Sequence, residues 1–149
     1  MSGHDDIIAS SIGHTHIDVA WWWTVSQTRE KTARSFSTVL KLMEEYPDFC
    51  FSQSQASVYQ IIEEYAPELK ESIQKRIQEG RWEVTASAWV ETDKNMPSAE
   101  SLLNHIRYTK KYLQESWGID PQALNIDFSP DTFGHSANLP ELDALGGVK

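Results

Sequence analysis

The stretch IIASSIGHTHID, residues 7–18, joins a short apolar run to a group of polar side chains. The apolar run over 7–12, which ends at Gly13, is typical of a buried strand. In extended backbone every second side chain points the same way. His14, His16 and Asp18 can therefore converge if the extended conformation continues past the strand.

Farther along the chain, apolar periodicity predicts helices that alternate with further strands. A Thr24-x-x-Gln27 pattern is typical of a capping box and opens the first helix, which should end before Pro47. Pro67 should kink or split the second helical segment, and Ser98 can cap the third. The predicted strands cover 7–12, 49–51, 81–90 and 124–128, a fifth begins at 148–149, and a short helix covers 139–145.

The alternation of strand and helix is typical of βαβ units, which form parallel sheets with right-handed crossovers. A closed (β/α) barrel of eight strands takes about 250 residues, whereas this chain has 149. We therefore predict an α/β fold of about four to five parallel strands, arranged as an open sheet or an incomplete barrel.

The composition disfavours two classes of partner. The chain carries 13 Lys and Arg against 22 Asp and Glu, a net charge of −9. This balance disfavours nucleic acid and anionic membranes, because phosphate binding needs clustered basic residues. The first residues do not resemble a secretory signal, and no apolar run approaches the roughly 20 residues of a membrane span. Cys50 is the only cysteine, so no disulfide can form within the chain, which favours a reducing compartment. We expect a soluble, cytoplasmic protein.

Polar side chains cluster where three of the predicted strands end. In parallel α/β folds, ligands bind at the carboxyl ends of the strands. These side chains should therefore meet at one edge of the sheet and form a site. The candidates are His14, His16 and Asp18 after the first strand, Glu91 and Asp93 after the third, and Asp131 and His135 after the fourth.

The His-x-His-x-Asp pattern indicates a metal site. Zinc binds imidazole nitrogen and carboxylate oxygen, and a catalytic zinc keeps one position for water or substrate. One strand supplies only part of such a shell, and Asp131 is the best candidate for a further ligand. The pattern does not identify the reaction, because amidohydrolases of the barrel type and carbohydrate deacetylases place similar residues after their first strand.

Aromatic side chains follow the first polar group at Trp21, Trp22 and Trp23. Side chains in a run of three point in different directions, so all three cannot pack into one core face. At the rim of a polar pocket, an aromatic ring can stack on the apolar face of a sugar. Phe133, two residues after Asp131, can form a second wall.

The segment HTHIDVAWWWT, residues 14–24, resembles the opening motif of the α-mannosidases of glycoside hydrolase family 38. The resemblance is greatest to the bacterial and cytosolic branch, in which Leu often stands at the position of Trp22. Later blocks of the family follow in the same order. They are QTREK (27–31), RSFSTVL (34–40), EGRWE (79–83), WVETDKN (89–95) and PDTFGHS (130–136).

The resemblance implies a seven-stranded (β/α) barrel that holds one zinc ion. By motif position, His16 and Asp18 would be zinc ligands, and Asp131 would be both a ligand and the catalytic nucleophile. His14 would be a neighbour of the metal and not a ligand.

Other candidate residues have less direct roles by resemblance. Trp21 and Phe133 match aromatic positions that wall the sugar pocket. For His135, Glu91 and Asp93 the resemblance gives no specific role, and we expect them to support the ligands.

The resemblance also implies a reaction, the retaining hydrolysis of terminal α-linked mannose from oligosaccharides by two carboxyl groups. Asp131 would attack the anomeric carbon, and a second carboxyl group would protonate the departing oxygen and then activate water. Zinc would grip the 2- and 3-hydroxyls of the sugar.

Parts of the family's site have no counterpart in this sequence. The acid/base Asp and a fourth zinc ligand, a His, match no position within residues 1–149. We therefore expect these residues to form the N-terminal part of the barrel domain, without its remainder or the β-rich C-terminal domains. The chain alone is expected to show negligible activity. It is also expected to self-associate through the surface that the rest of the barrel would cover. A different metal-dependent barrel hydrolase, or a non-catalytic sugar- or zinc-binding module, are the alternatives.

Overall fold

The computed structural model describes residues 8–149. Three strands alternate with helices along the chain. In order they are β1 (Gly13–His14), α1 (Val25–Glu45), β2 (Phe51–Gln55), α2 (Ala56–Tyr65), α3 (Lys70–Gln78), β3 (Trp82–Ala88), α4 (Ala99–Trp117) and α5 (Leu139–Leu145), with a 3₁₀ turn at Pro67–Leu69 between α2 and α3.

The three strands form one open parallel sheet in the order β1-β2-β3. Gly13 pairs with Phe51, and Phe51 pairs in turn with Trp82. Between Gln53 and Gln55 the register with β3 shifts. The predicted parallel α/β architecture is therefore confirmed, with the carboxyl ends of the strands at one edge.

The first predicted strand is displaced. Residue 7 lies outside the described residues, and 8–12 form no strand. By the register of Gly13 with Phe51, residues before Gly13 would have to pair with the segment that precedes Phe51. That segment is the turn that ends α1, in which the Phe49 N–H donates to the Tyr46 carbonyl. Pairing is consequently limited to Gly13–His14, and β2 extends to Gln55 instead of ending near Phe51.

The predicted fourth and fifth strands are wrong within the described residues. Residues 124–128 form no ladder, and at 148–149 a single backbone bond joins the Lys149 N–H to the Asn125 carbonyl. Side chains connect this segment to β3 instead, since Ser87 Oγ donates to Asp127 Oδ1 at 3.1 Å. Within residues 8–149 the sheet has three strands and not four or five.

The predicted helix boundaries agree with the structure. Thr24 and Gln27 form the reciprocal bonds of a capping box at the start of α1. Pro67 separates α2 from α3, as expected for a residue that lacks an N–H donor. Ser98 caps α4, which ends at Gly118 in the left-handed conformation.

Aromatic side chains form the centre of the core between the helices and the sheet. The ring of Trp82 contacts Phe36 and Phe51 edge-to-face, with centroids 4.9 and 4.7 Å away, and its Nε1–H donates to the Tyr59 hydroxyl. Such pairs add about 0.5–1.5 kcal/mol each beyond area burial. This packing fixes the strands that carry the site. No helix in residues 8–149 is long and apolar enough to cross a bilayer.

Candidate metal centre

Two buried glutamines on β2 hold the chain where β1 ends. Gln53 Nε2 donates to the Thr15 carbonyl at 3.1 Å, and Gln55 Nε2 donates to the Ile17 carbonyl at 2.8 Å. These side-chain amides bond both residues that flank His16, at the point where strand pairing has stopped. Neither glutamine was predicted from the sequence. Their position next to a buried strand is nevertheless a signal, because buried amides need hydrogen-bond partners.

The structure brings His16, Asp18 and Asp131 together beyond the strand ends. His16 Nε2 lies 3.2 Å from Asp18 Oδ1 and 3.5 Å from Asp131 Oδ2. One possible ligand atom from each residue lies within 4.8 Å of those of the other two. Asp131 is the most exposed of the three, with 56% of its side chain accessible. One imidazole nitrogen and two carboxylate oxygens that converge in this way suit zinc.

Glu91 joins this group from the loop after β3. Its Oε2 lies 2.7 Å from His16 Nδ1, and its Oε1 accepts a bond from the Asp131 N–H at 2.5 Å. The side chain is 4% exposed. Glu91 therefore contacts two of the three converging residues and is itself buried, whereas the Asp131 side chain is exposed.

The electrostatics of the group favour a cation. Burial alone would lower the pKa of His16, but the hydrogen bond to Asp18 and the charge of Glu91 outweigh burial and raise that pKa. Three carboxylates thus surround one imidazole. A divalent ion would neutralise this excess of negative charge, so the donor set fits the predicted metal.

The other candidates from the first and third strand ends lie apart from this group. His14 Nδ1 bonds the Ser52 carbonyl at 2.9 Å, and its ring packs edge-to-face on Phe128. Asp93 accepts the Asn95 N–H in a turn. Neither residue reaches the three converging side chains, so a role in holding a metal stays a prediction for both.

His135 lies in the loop after Asp131, and its backbone pairs with Lys94 in an isolated parallel bridge. With Asp127 and Asp143 it lines a cavity of about 400 Å³. Gly134, at φ +153°, lets the loop approach closely, because a Cβ there would lie 2.4 Å from Asn95 Nδ2. His135 is therefore not one of the converging side chains.

Lys94 is a buried residue that the sequence analysis did not single out. Its side chain is 4% exposed, and its ammonium group bonds Asp127 and the Ser129 hydroxyl, at 2.7 Å from the latter. Buried lysines are rare unless paired. This ion pair ties the loop after β3 to the segment that leads to Asp131.

The predicted aromatic walls are exposed. The accessible fraction is 70% for Trp21 and 87% for Phe133, while Trp22 packs edge-to-face on Trp21. The Trp21 loop is held by the buried Thr28. Its hydroxyl donates to the Asp18 carbonyl and accepts from the Ala20 N–H and from Trp23 Nε1–H. Thr28 therefore links a candidate ligand to the aromatic run, a role that the sequence analysis missed.

Comparisons with known proteins match nearly the whole chain. The family described as Glycosyl hydrolases family 38 N-terminal domain matches residues 6–149. Alpha-mannosidase G of Dictyostelium discoideum is 42% identical over 93% of this chain. Human Alpha-mannosidase 2C1 is 36% identical over 92% of this chain.

A solved structure has the same fold. The crystal structure of an alpha-mannosidase from Enterococcus faecalis V583 matches 92% of the chain with a TM-score of 0.79 and 24% identity, and 15% of that chain is covered. The chain spans 12% of the Dictyostelium protein and 13% of the human one. By the extent of the family match and these identities, the chain belongs to glycosyl hydrolase family 38, as part of its N-terminal domain.

Proposed function

We propose that this chain supplies the nucleophile and three zinc ligands of an α-mannosidase, which removes terminal α-linked mannose from oligosaccharides with retention of configuration. The convergence of the His16, Asp18 and Asp131 side chains supports this proposal most directly. The family match favours a glycosidase over the amidohydrolases and deacetylases that the strand-end pattern left open.

The three ligand side chains have distinct tasks in this proposal. His16 and Asp18 would hold zinc from one loop, and Asp131 would complete the part of the shell that this chain provides. When bound, zinc would supply positive charge that holds sugar hydroxyls and favours the ionised form of Asp131. The exposed Trp21 and Phe133 would form the walls against which the sugar ring packs.

The chemical step belongs to Asp131. One carboxylate oxygen bonds the anomeric carbon while the glycosidic carbon–oxygen bond breaks, and a second carboxyl group gives its proton to the departing oxygen. That second group then takes a proton from water, which attacks the anomeric carbon and releases Asp131. The acid/base residue and a fourth zinc ligand come from outside residues 1–149 in this proposal.

The wider setting of the chain is part of the same proposal. Residues 1–149 would be the N-terminal part of a seven-stranded (β/α) barrel domain that the remaining strands complete. The single Cys50, which cannot form a disulfide within the chain, favours the cytoplasm. Without the acid/base residue, the chain alone should show negligible mannosidase activity and should associate through the surface that the remaining barrel would cover.

Trapping the nucleophile tests this function. A fluorinated mannoside should label the complete catalytic domain at Asp131, and peptide mass spectrometry locates the label. Asp131→Asn should abolish labelling, whereas Asp48→Asn, at an exposed position in the turn after α1, should retain it. Labelling of another residue, or none in an enzyme that hydrolyses aryl α-mannosides, would contradict the proposed nucleophile.

A further inference from the structure

We propose that Glu91 is a positioning residue that fixes His16 and Asp131 relative to each other so that both face one metal ion. This inference rests on the proposed function. Glu91 bonds residues that are 75 and 40 positions away in the sequence, one with each carboxylate oxygen. A single carboxylate thus joins two separate ligand segments.

The contact with His16 determines which ring nitrogen is free. An ionised carboxylate only accepts hydrogen bonds, so His16 Nδ1 must carry the proton that faces Glu91 at 2.7 Å. Nε2 is then the nitrogen directed toward Asp18 and Asp131. A ligating histidine commonly donates its other N–H to a carboxylate, which fixes both the tautomer and the orientation of the ring.

The contact with Asp131 replaces strand pairing. Residues 124–128 form no ladder with β3, so the backbone of the sheet does not set the position of Asp131. Instead, Glu91 Oε1 accepts the Asp131 N–H at 2.5 Å and lies 3.4 Å from the Thr132 hydroxyl. Glu91 thereby holds the backbone of the proposed nucleophile while the Asp131 side chain stays exposed.

Glu91 is itself anchored to the sheet. Its N–H donates to Gln55 Oε1 at 3.1 Å, and the amide of Gln55 bonds the Ile17 carbonyl between the two ligands of the first loop. Since only 4% of the Glu91 side chain is exposed, it does not present its carboxylate to a substrate. Its effect must therefore pass through His16 and Asp131.

Zinc titration of Glu91→Gln by calorimetry tests the inference. The amide oxygen can accept from His16 or from Asp131, but the NH₂ group then opposes the other donor. We expect zinc affinity to fall about 10- to 100-fold, the usual cost of losing such a partner. Glu83→Gln, at an exposed position on β3, should bind zinc like the wild type.

A second readout separates positioning from general stability. In the zinc-loaded protein, the His16 Nδ1–H proton should resonate far downfield by NMR and exchange slowly, and Glu91→Gln should move it upfield. If Glu91→Gln does not fold, Glu91→Asp keeps the charge but is too short for both contacts, and should show the same two changes.

The outcomes distinguish this inference from the function on which it rests. Wild-type affinity and an unchanged Nδ1–H resonance in a folded Glu91 variant would overturn the positioning role and leave the zinc site in place. Failure of the wild-type protein to bind zinc would overturn the proposed metal site, and the positioning role with it.

Discussion

Each ring nitrogen of His16 faces a carboxylate, with Nδ1 2.7 Å from Glu91 and Nε2 3.2 Å from Asp18. The sequence predicted that His14, His16 and Asp18 would converge, because alternate residues in extended chain share a direction. Of these, His16 and Asp18 meet, whereas His14 bonds the Ser52 carbonyl. It did not predict the specific contact of Glu91, since that depends on how two loops meet in space. Patterns within one segment are readable from sequence, whereas contacts across segments need the fold.

Asp18→Asn should weaken zinc binding about 100-fold or more, because an amide removes the negative charge that the proposed site gives the metal. Isothermal calorimetry at neutral pH measures this change. Asp48→Asn is the matched control, since Asp48 is exposed in the turn after α1, outside the converging group. Equal losses in both variants would place the metal elsewhere.

Thr28→Val should lower the free energy of unfolding by about 1–3 kcal/mol, the usual cost of leaving buried polar groups without partners. The groups affected are the Asp18 carbonyl, the Ala20 N–H and Trp23 Nε1–H. Thr38→Val is the control on the same helix, because its hydroxyl is exposed and bonds only the Arg34 carbonyl among the described contacts. Urea unfolding measures both variants. Equal losses of unfolding free energy would show that the Thr28 hydroxyl does not link Asp18 to the aromatic run.

At the scale of elements, helix ends were predictable and strand ends were not. The capping box at Thr24 and the break at Pro67 follow from local chemistry and agree with the structure. The extent of β1 depends on what lies beside it, and there the neighbour is a turn. Residues 124–128 have the composition of a strand but contact β3 through side chains such as Asp127. Pairing requires a partner, which a single segment does not reveal.

Gln55→Leu should cost about 2–4 kcal/mol of unfolding free energy, because it leaves both the Ile17 carbonyl and the Glu91 N–H without their partner. Gln78→Leu, at an exposed position of α3, should change stability by less than about 0.5 kcal/mol. Thermal and urea unfolding of the two variants provide the comparison. A Gln55 variant as stable as the Gln78 variant would show that the Gln55 amide does not hold the segment that follows β1.

For the molecule as a whole, the sequence predicted the parallel α/β class correctly and the number of strands incorrectly. The net charge argued against nucleic acid and anionic membranes as partners but said nothing of the shape of the surface. A cavity of about 750 Å³ lies on α4 between Trp89, His105 and Tyr108, away from the candidate metal centre. The proposed active site is an open polar surface, and its position followed from strand ends and not from cavity size.

His105 should make the folded protein sensitive to acid. Burial lowers the pKa of His105 below its usual 6.5, so the unfolded chain binds a proton that the folded chain resists. Above pH 6.5 the effect of His105 on the free energy of unfolding therefore does not change with pH. As pH falls from 6.5 through the lowered pKa, His105 destabilises the fold. The charged residues Glu100, Lys111 and Glu115 line the cavity on α4 together with His105, but burial is the cause of the lowered pKa.

Urea unfolding between pH 8 and 5 measures this dependence against His105→Leu, which is neutral throughout. The wild type should lose more stability than the variant below pH 6.5, whereas the difference between them should stay constant above it. Identical slopes below pH 6.5 would show that His105 binds its proton equally in both states.

X-ray absorption spectroscopy of the zinc-loaded chain tests the central claim most directly, because it reports the ligands themselves. His16, Asp18 and Asp131 predict one zinc per chain with a single imidazole and otherwise oxygen ligands, at about 2.0–2.2 Å. A sulfur neighbour at about 2.3 Å, which only the thiol of Cys50 or a methionine could supply, or a second imidazole in the shell would contradict this ligand set.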